Sequence, residues 1–380
     1  MIQATPRGYK WGGAPAAGSP KAPEKKGRPT VLKFGIVGAG MIAQSGCDGI
    51  TASGAAEVVA IADPHAGRAQ ELARRNSIRS VYADAADIFR DSSIDAVYIA
   101  TPTGLHVPYA TAAFQAGKHV LLEKPFAFTH ADARKVVDAA AAARKLFMLG
   151  MNFRFEQGSQ QVRALSQKGY FGEIHRMRAF WRRRSGAPRL GTWFGNKKLA
   201  GGGCFMDIGV HMIDLALWTS GNYEPATVSA AVYSKFGSRG LGQGTWGAST
   251  PENIPFDVED SAAAFVRMKN GAALQVEVSW VAHQKEDDIH SVELFGTEAG
   301  ARVLPVEIYR TDRDLSALVD VSRLGVPVPY PHCNKFVNFV RSLQGLEEPC
   351  VTAAQALTVQ TIIDAAYRSA ASGREVVVEG

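Results

Sequence analysis

Cysteine is scarce, with four in 380 residues, at Cys47, Cys204, Cys333 and Cys350. None stands in a C-x-x-C spacing. This argues against a zinc site or a disulfide scaffold and fits a reducing, cytoplasmic setting with no bound metal. Long hydrophobic runs are missing too. No segment approaches the ~18 apolar residues of a membrane span, so no membrane partner is expected. The start of the chain shows neither an apolar h-region nor a twin-arginine pair, so no secretory signal is recognisable. A strongly basic body is also absent. The formal net charge is +6, but Arg7, Lys10, Lys21, Lys25, Lys26 and Arg28 stand against Glu24 alone in the first thirty residues. That segment carries a net +5, and the rest of the chain is near +1. Nucleic acid is therefore not expected as a partner. Residues 1–30, rich in Gly, Pro and Ala, read as a flexible basic tail or as an arm around a neighbouring subunit.

What is present is a regular alternation. Apolar runs at 31–37, 58–62, 96–100, 120–122 and 146–149 read as strands, separated by helix-forming stretches such as 66–76 and the Ala-rich 131–145. Near-continuous apolar strands alternating with helices predict a parallel sheet covered on both faces, with ligands bound beyond the strand C-termini. After about residue 150 the pattern changes. Helices are expected at 157–168 and after Asp207, followed by β-like runs at 226–234, 261–268, 273–280 and 291–295. Asn270-Gly271 marks a hairpin between two of these runs. Gly237–Pro255 is a polar, Gly-rich loop, and helices at 334–343 and 353–371 close the chain. The expected class is α/β, a doubly wound parallel sheet over 31–150. An α+β domain with a large open, mostly antiparallel sheet would follow over 151–380. An open sheet face of this kind suits a homo-oligomer, a dimer or a tetramer.

Gly38-Ala39-Gly40-Met41-Ile42-Ala43 follows the first strand and opens a helix. This G-x-G-x-x-A context is that of a dinucleotide pyrophosphate site. Asp63 ends the second strand, where a carboxylate can accept both adenosine ribose hydroxyls and repel a 2′-phosphate. NAD is therefore favoured over NADP, with Arg68 as the residue that can pair with a 2′-phosphate instead. The bland reading of Asp63 is a helix N-cap before Pro64. Thr101-Pro102-Thr103 ends another strand at the same sheet edge, near the nicotinamide half of the cofactor. His106 is either part of that surface or only a helix-start residue.

Glu123-Lys124-Pro125 ends the next strand. Oxidising a secondary alcohol by hydride transfer requires a base for the hydroxyl proton. A lysine beside a cationic nicotinamide favours its neutral, proton-accepting form. The alternative is a structural lysine paired with Glu123. Asp207 and His211, spaced i, i+4, would share one helix face, with Asp214 on the same side. His211 can relay the proton while Asp207 holds the substrate hydroxyl or orients the imidazole. The bland reading is an N-cap aspartate and a core histidine. The preceding Gly201-Gly202-Gly203 would let backbone approach a ligand.

GAGMIA at 38–43, Asp63, ATPTGLH at 100–106, AGKHVLLEKP at 116–125 and GGGCFMDIGVHMIDLALW at 201–218 together resemble the Gfo/Idh/MocA oxidoreductase family, over about residues 31–370. The resemblance implies a Rossmann domain followed by an open-faced α/β domain that carries the substrate. It implies Lys124, Asp207 and His211 as the catalytic set, sugars, glycosides or polyols as substrates, and oligomers formed through the open sheet. Arg154, in a segment resembling the family's entry into the second domain, would touch cofactor or substrate. Trp181-Arg182-Arg183-Arg184-Ser185-Gly186 with Thr192-Trp193-Phe194 looks most like members that oxidise the 3-hydroxyl of a glucoside. Trp193 would then stack on a pyranose or simply pack. The arginine run would bind an anionic sugar or lie at an exposed strand edge. Two other activities fit the same fold: an NAD-retaining glycosidase that works by transient oxidation, and a non-enzymatic NAD-binding regulator.

Overall fold

In the computed structural model, which describes residues 31–247 and 254–378, six strands come first. They are β1 (Leu32–Val37), β2 (Ala56–Ala62), β3 (Ser80–Tyr82), β4 (Ala96–Ile99), β5 (His119–Leu122) and β6 (Phe147–Leu149). All pair in parallel, in the order β3-β2-β1-β4-β5-β6. The four side chains of β4 are all fully buried, because helices fill every connection and cover the sheet. Strand order reverses between β1 and β4, and that switch point is where such sheets bind ligands. The tail reading, and the part of the Gly237–Pro255 loop at 248–253, lie outside the described residues.

The second sheet contains β7 (Ile174–Arg183), β8 (Pro225–Tyr233), β9 (Ser261–Met268), β10 (Ala273–Ser279) and β11 (Asp288–Gly296). It is completed by β12 (Gly300–Arg302), β13 (Glu307–Asp312), β14 (Ala317–Val321) and β15 (Val376–Val377). Their order is β14-β13-β12-β11-β7-β10-β9-β8-β15, antiparallel except where β10 runs parallel to β7. The Asn270-Gly271 turn joins β9 to β10, and Gly271 adopts φ +88°, a value open to glycine. Along β9, Ala262, Ala264, Val266 and Met268 face inward while Ala263 and Arg267 face out. The helix Val210–Ser220 packs on the inner face beside Gln157–Gln167 and Ala353–Ser372. It is buried from Val210 to Thr219, so it shows no amphipathic stripe.

Two sequence expectations change here. The helical stretch Lys197–Ser220 is long and apolar enough to cross a membrane by length and composition. Some 83% of its apolar window is buried inside the protein, as in a core helix. The arginine run was expected at a strand edge as one alternative, but β7 lies between β10 and β11. A central strand tolerates arginine because the outward side chains meet carboxylates on both neighbours. Arg178 lies 4.0 Å from Glu277 and 3.5 Å from Glu293, and Arg182 lies 3.4 Å from Glu277.

Candidate active site

The turn after β1 brings the chain against the end of β4. Gly38 sits at φ +100°, and a Cβ there would press on the carbonyl of Ala100. A Cβ on Gly40 would instead point into open space, and Met41 and Ile42 beside it are exposed. The hydroxyls of Thr101 and Thr103 are buried without a partner among the described residues. A backbone cradle, an open helix start and two unspent hydroxyls at the switch point fit a dinucleotide.

Asp63 closes the cradle from β2. Its Oδ2 accepts from Ala39 N–H at 2.7 Å and its Oδ1 from His65 N–H at 2.8 Å. The N-cap of the helix Ala66–Asn76 is His65, not Asp63. Arg68 is exposed in that helix's first turn. His106 is fully buried, with its ring nitrogens 2.7 Å from Pro125 O and 3.0 Å from Thr101 O. It therefore staples the Thr101-Pro102 loop to the Lys124-Pro125 turn, and its side chain is spent on that task.

Glu123 and Lys124 diverge at the end of β5. The Glu123 carboxylate is buried and accepts from Tyr98 Oη at 2.7 Å and from Lys335 Nζ. Burial alone would raise its pKa, but the Lys335 ammonium and the hydrogen bonds outweigh that and hold it below the usual carboxylate range. The partner of Glu123 is thus Lys335, at the start of the helix Lys335–Leu343, and not Lys124. Lys124 points away from Glu123 to the turn that carries Asp207. Its Nζ donates to Asp207 Oδ1 at 2.8 Å and to Asp207 O at 3.1 Å. The other carboxylate oxygen, Oδ2, accepts from the indole of buried Trp280 at 3.0 Å.

Asp207 lies in a π-helical turn, Phe205–Gly209, that leads into the helix bearing His211. Such turns recur at functional sites. This one departs from the regular helix face predicted by the i, i+4 spacing, and no Asp207–His211 hydrogen bond occurs among the described residues. His211 is only 7% exposed and its Nδ1 has no partner there. Its ring packs edge-on against Phe153 at 5.2 Å and near Trp181 at 6.1 Å. Burial, then the charges of Lys124, Lys335 and Arg183, push its pKa well down, so the imidazole is neutral.

The glycine triplet serves packing rather than ligand approach. A Cβ on Gly201 would overlap Phe128, one on Gly202 the hydroxyl of Tyr367, and one on Gly203 the carbonyl of Glu259. The Glu259 carboxylate accepts from Gly203 N–H at 2.9 Å, Phe205 N–H at 3.0 Å and Tyr367 Oη at 2.9 Å. It therefore anchors the turn that carries Asp207.

Two expected ligand contacts are engaged elsewhere. Arg154 is fully buried and donates to Asp214 at 2.9 and 2.5 Å, to Cys350 O at 2.7 Å and to Gln355 at 2.6 Å. Asp214 thereby leaves the Asp207–His211 set. Trp193 stacks on Phe194 at 3.8 Å, at the far end of an aromatic row through Trp246 to Trp280. Sequence reasoning did not find Trp280, Lys335 or Glu259. Trp280 ends an alternating strand and carried that faint signal, whereas Lys335 carried none.

The buried imidazoles set a pH dependence. Burial lowers the pKa of His106 and His211 below the ordinary 6.5. The unfolded chain takes up protons below about pH 6.5 that the native state refuses. Stability is therefore complete above that pH and falls as pH drops. The urea midpoint is expected to be lower at pH 5 than at pH 7.5.

Comparison with known proteins places these features. Residues 32–151 match the family model described as "Oxidoreductase family, NAD-binding Rossmann fold", and residues 159–302 match the GFO/IDH/MocA C-terminal domain. D-Glucoside 3-dehydrogenase of Escherichia coli K12 is 32% identical over 352 residues, covering 91% of this chain and 97% of that protein. Levoglucosan dehydrogenase of Pseudarthrobacter phenanthrenivorans is 31% identical over 253 residues, covering 64% and 63%. A levoglucosan dehydrogenase structure in complex with NADH and levoglucosan superposes with TM-score 0.77 at 25% identity. It covers 92% of this chain and all of that one.

Proposed function

Because this chain belongs to the GFO/IDH/MocA family of NAD-binding oxidoreductases, we propose that it oxidises a secondary hydroxyl of a sugar or glycoside, with the 3-hydroxyl of a glucoside as the leading candidate. The observation that carries this reading is the Lys124–Asp207 contact, made across 83 positions of sequence at the cofactor edge of the first sheet, with His211 on the next turn. Likeness to D-glucoside 3-dehydrogenase over nearly its full length supports the choice of substrate.

The cradle of Gly38 to Ile42, Asp63, Thr101 and Pro102 would hold NAD, with Arg68 beside the adenosine end. NAD, when bound, accepts the hydride. The remaining work falls to side chains. Lys124 Nζ is the group placed to take the hydroxyl proton. Asp207 fixes the lysine through Oδ1 and is fixed by Trp280 through Oδ2. Each oxygen keeps a second lone pair for the substrate hydroxyl. His211, kept neutral by burial, supports Lys124 as a hydrogen-bonding partner for the substrate hydroxyl. On this reading residues 31–150 hold the cofactor and 151–380 the substrate. The protein works in the cytoplasm as a homo-oligomer joined through the outer face of the second sheet.

The test is incubation of purified protein with NAD and a panel of glycosides, free sugars, inositols and sugar acids, with reduced nicotinamide followed by absorbance. Net NADH formed with glucosides is the expected result. Cleavage of the glycosidic bond without net NADH would make the protein an NAD-retaining glycosidase. NAD binding without turnover of any sugar would make it a regulator.

A further inference from the structure

We infer that the site is built for an uncharged sugar, and that Asp288 is the residue that keeps sugar acids out. The inference rests on the sugar-oxidising reading above and narrows its substrate class. In sequence, the run Arg182-Arg183-Arg184 invites the opposite conclusion, a cationic trap for a carboxylate. The structure separates the three. Strand alternation turns Arg182 outward to Glu277. Arg184 lies past the strand end and lines a separate cavity of about 520 Å³ with Phe236, Val281 and Asp287. Only Arg183 shares the inner face with Trp181, its guanidinium carbon 4.6 Å from the indole centroid.

Arg183 is not free. Asp288 is its register partner on β11 and accepts from Arg183 Nε at 3.3 Å. The same carboxylate accepts from Trp181 Nε1 at 2.9 Å and lies 3.6 Å from His290 Nδ1. His290 in turn packs on Trp181 at 4.8 Å and on Phe153 at 5.6 Å. One carboxylate thus pairs with Arg183, accepts from Trp181 and lies beside His290 at the His211 pocket. The two lysines are compensated in the same way, Lys124 by Asp207 and Lys335 by Glu123. Lys124, Lys335 and Arg183, the Lys and Arg side chains that act on His211, are therefore each paired with a carboxylate.

The chemistry follows from this pairing. An incoming carboxylate would lie against the half-exposed Asp288 carboxylate, and the Lys and Arg side chains that act on His211 among the described residues are already paired. A neutral sugar would find the guanidinium donors of Arg183 and the free lone pairs of Asp288, both suited to hydroxyls. Asp288 acts as a repulsive element, and selectivity is often achieved that way.

The experiment compares methyl β-D-glucopyranoside with methyl β-D-glucuronide, which share a ring and differ by one carboxylate. Wild type is expected to favour the glucoside in kcat/KM. Asp288→Asn retains an acceptor for Trp181 but removes the charge. It is expected to narrow the preference by about 10- to 100-fold, the size of one charge contact at this range in a partly screened site. Binding of the glucuronide to the NADH-loaded protein, measured by calorimetry, should tighten in the same proportion. Arg183→Gln added to Asp288→Asn should cancel the gain. Asp288→Ser is measured alongside, so that a folding defect in one variant does not remove the test. Equal use of both sugars by wild type would overturn the inference. So would an unchanged preference and unchanged glucuronide binding in natively folded variants. If no sugar is oxidised but Asp288→Asn still gains glucuronide binding, the sugar-oxidising reading fails and the role of Asp288 stands.

Discussion

Lys124→Ala should lower kcat by roughly 10²- to 10⁴-fold, the usual contribution of a positioned proton acceptor, while NADH still binds. The reasoning is geometric. Lys124 leaves the end of the cofactor sheet and meets the Asp207 carboxylate on the π-helical turn of the second half, with its side chain 21% exposed against 14% for Asp207. Neighbouring Glu123 is tied to Tyr98 and Lys335, so the strand end should keep its shape when Lys124 is truncated. The dinucleotide cradle lies on other turns and should be unaffected. Turnover under saturating NAD and substrate, paired with NADH titration by fluorescence, separates the two properties. A variant with near-normal kcat would remove Lys124 from the chemistry.

Arg154→Met should cost about 3–5 kcal/mol of stability, because breaking a buried ion pair leaves its partner charge stranded. Arg154 is 0% exposed and Asp214 is 1% exposed, with no solvent to take over. Arg154 also satisfies the Cys350 carbonyl and the Gln355 side chain, at the start of the helix Ala353–Ser372. The loss should appear in urea unfolding, with NADH affinity of the folded protein near wild type. Adding Asp214→Asn should recover part of it, since the stranded charge is then gone. If Arg154→Met instead left stability intact and weakened NADH or substrate binding, Arg154 would belong to the active site after all.

What the sequence disclosed follows from how local each signal is. The parallel sheet was readable because β1, β2, β4, β5 and β6 are short apolar runs set by burial on both faces. Lys124, Asp207 and His211 were readable because they sit at element boundaries with recognisable neighbours. The arginine run of β7 suggested an exposed strand edge, and its central place was not readable because the outward arginines meet carboxylates on β10 and β11. β12 is only three residues long, β13 is mostly polar, and β14, though mostly apolar, has only five residues, so no periodicity announced them. The glycine triplet was seen, but its cause was not. The groups that forbid a Cβ, Tyr367 and Glu259, come from distant parts of the chain. Lys335 is the limiting case, since the carboxylate it pairs with stands 212 residues earlier.

That last contact bears on how proteins of this design can be recombined. The helix Lys335–Leu343 leans on the first helix of the nucleotide half, with Phe336 against Tyr98 at 5.0 Å, and the closing helix lies along His130–Ala143. The end of the polypeptide is therefore structural property of its beginning. A hybrid enzyme spliced once near residue 150 would inherit a strand β5 whose Glu123 has lost its counter-ion. A graft that exchanges substrate preference needs two junctions, one on each side of the second sheet, with the terminal helices left in their original company.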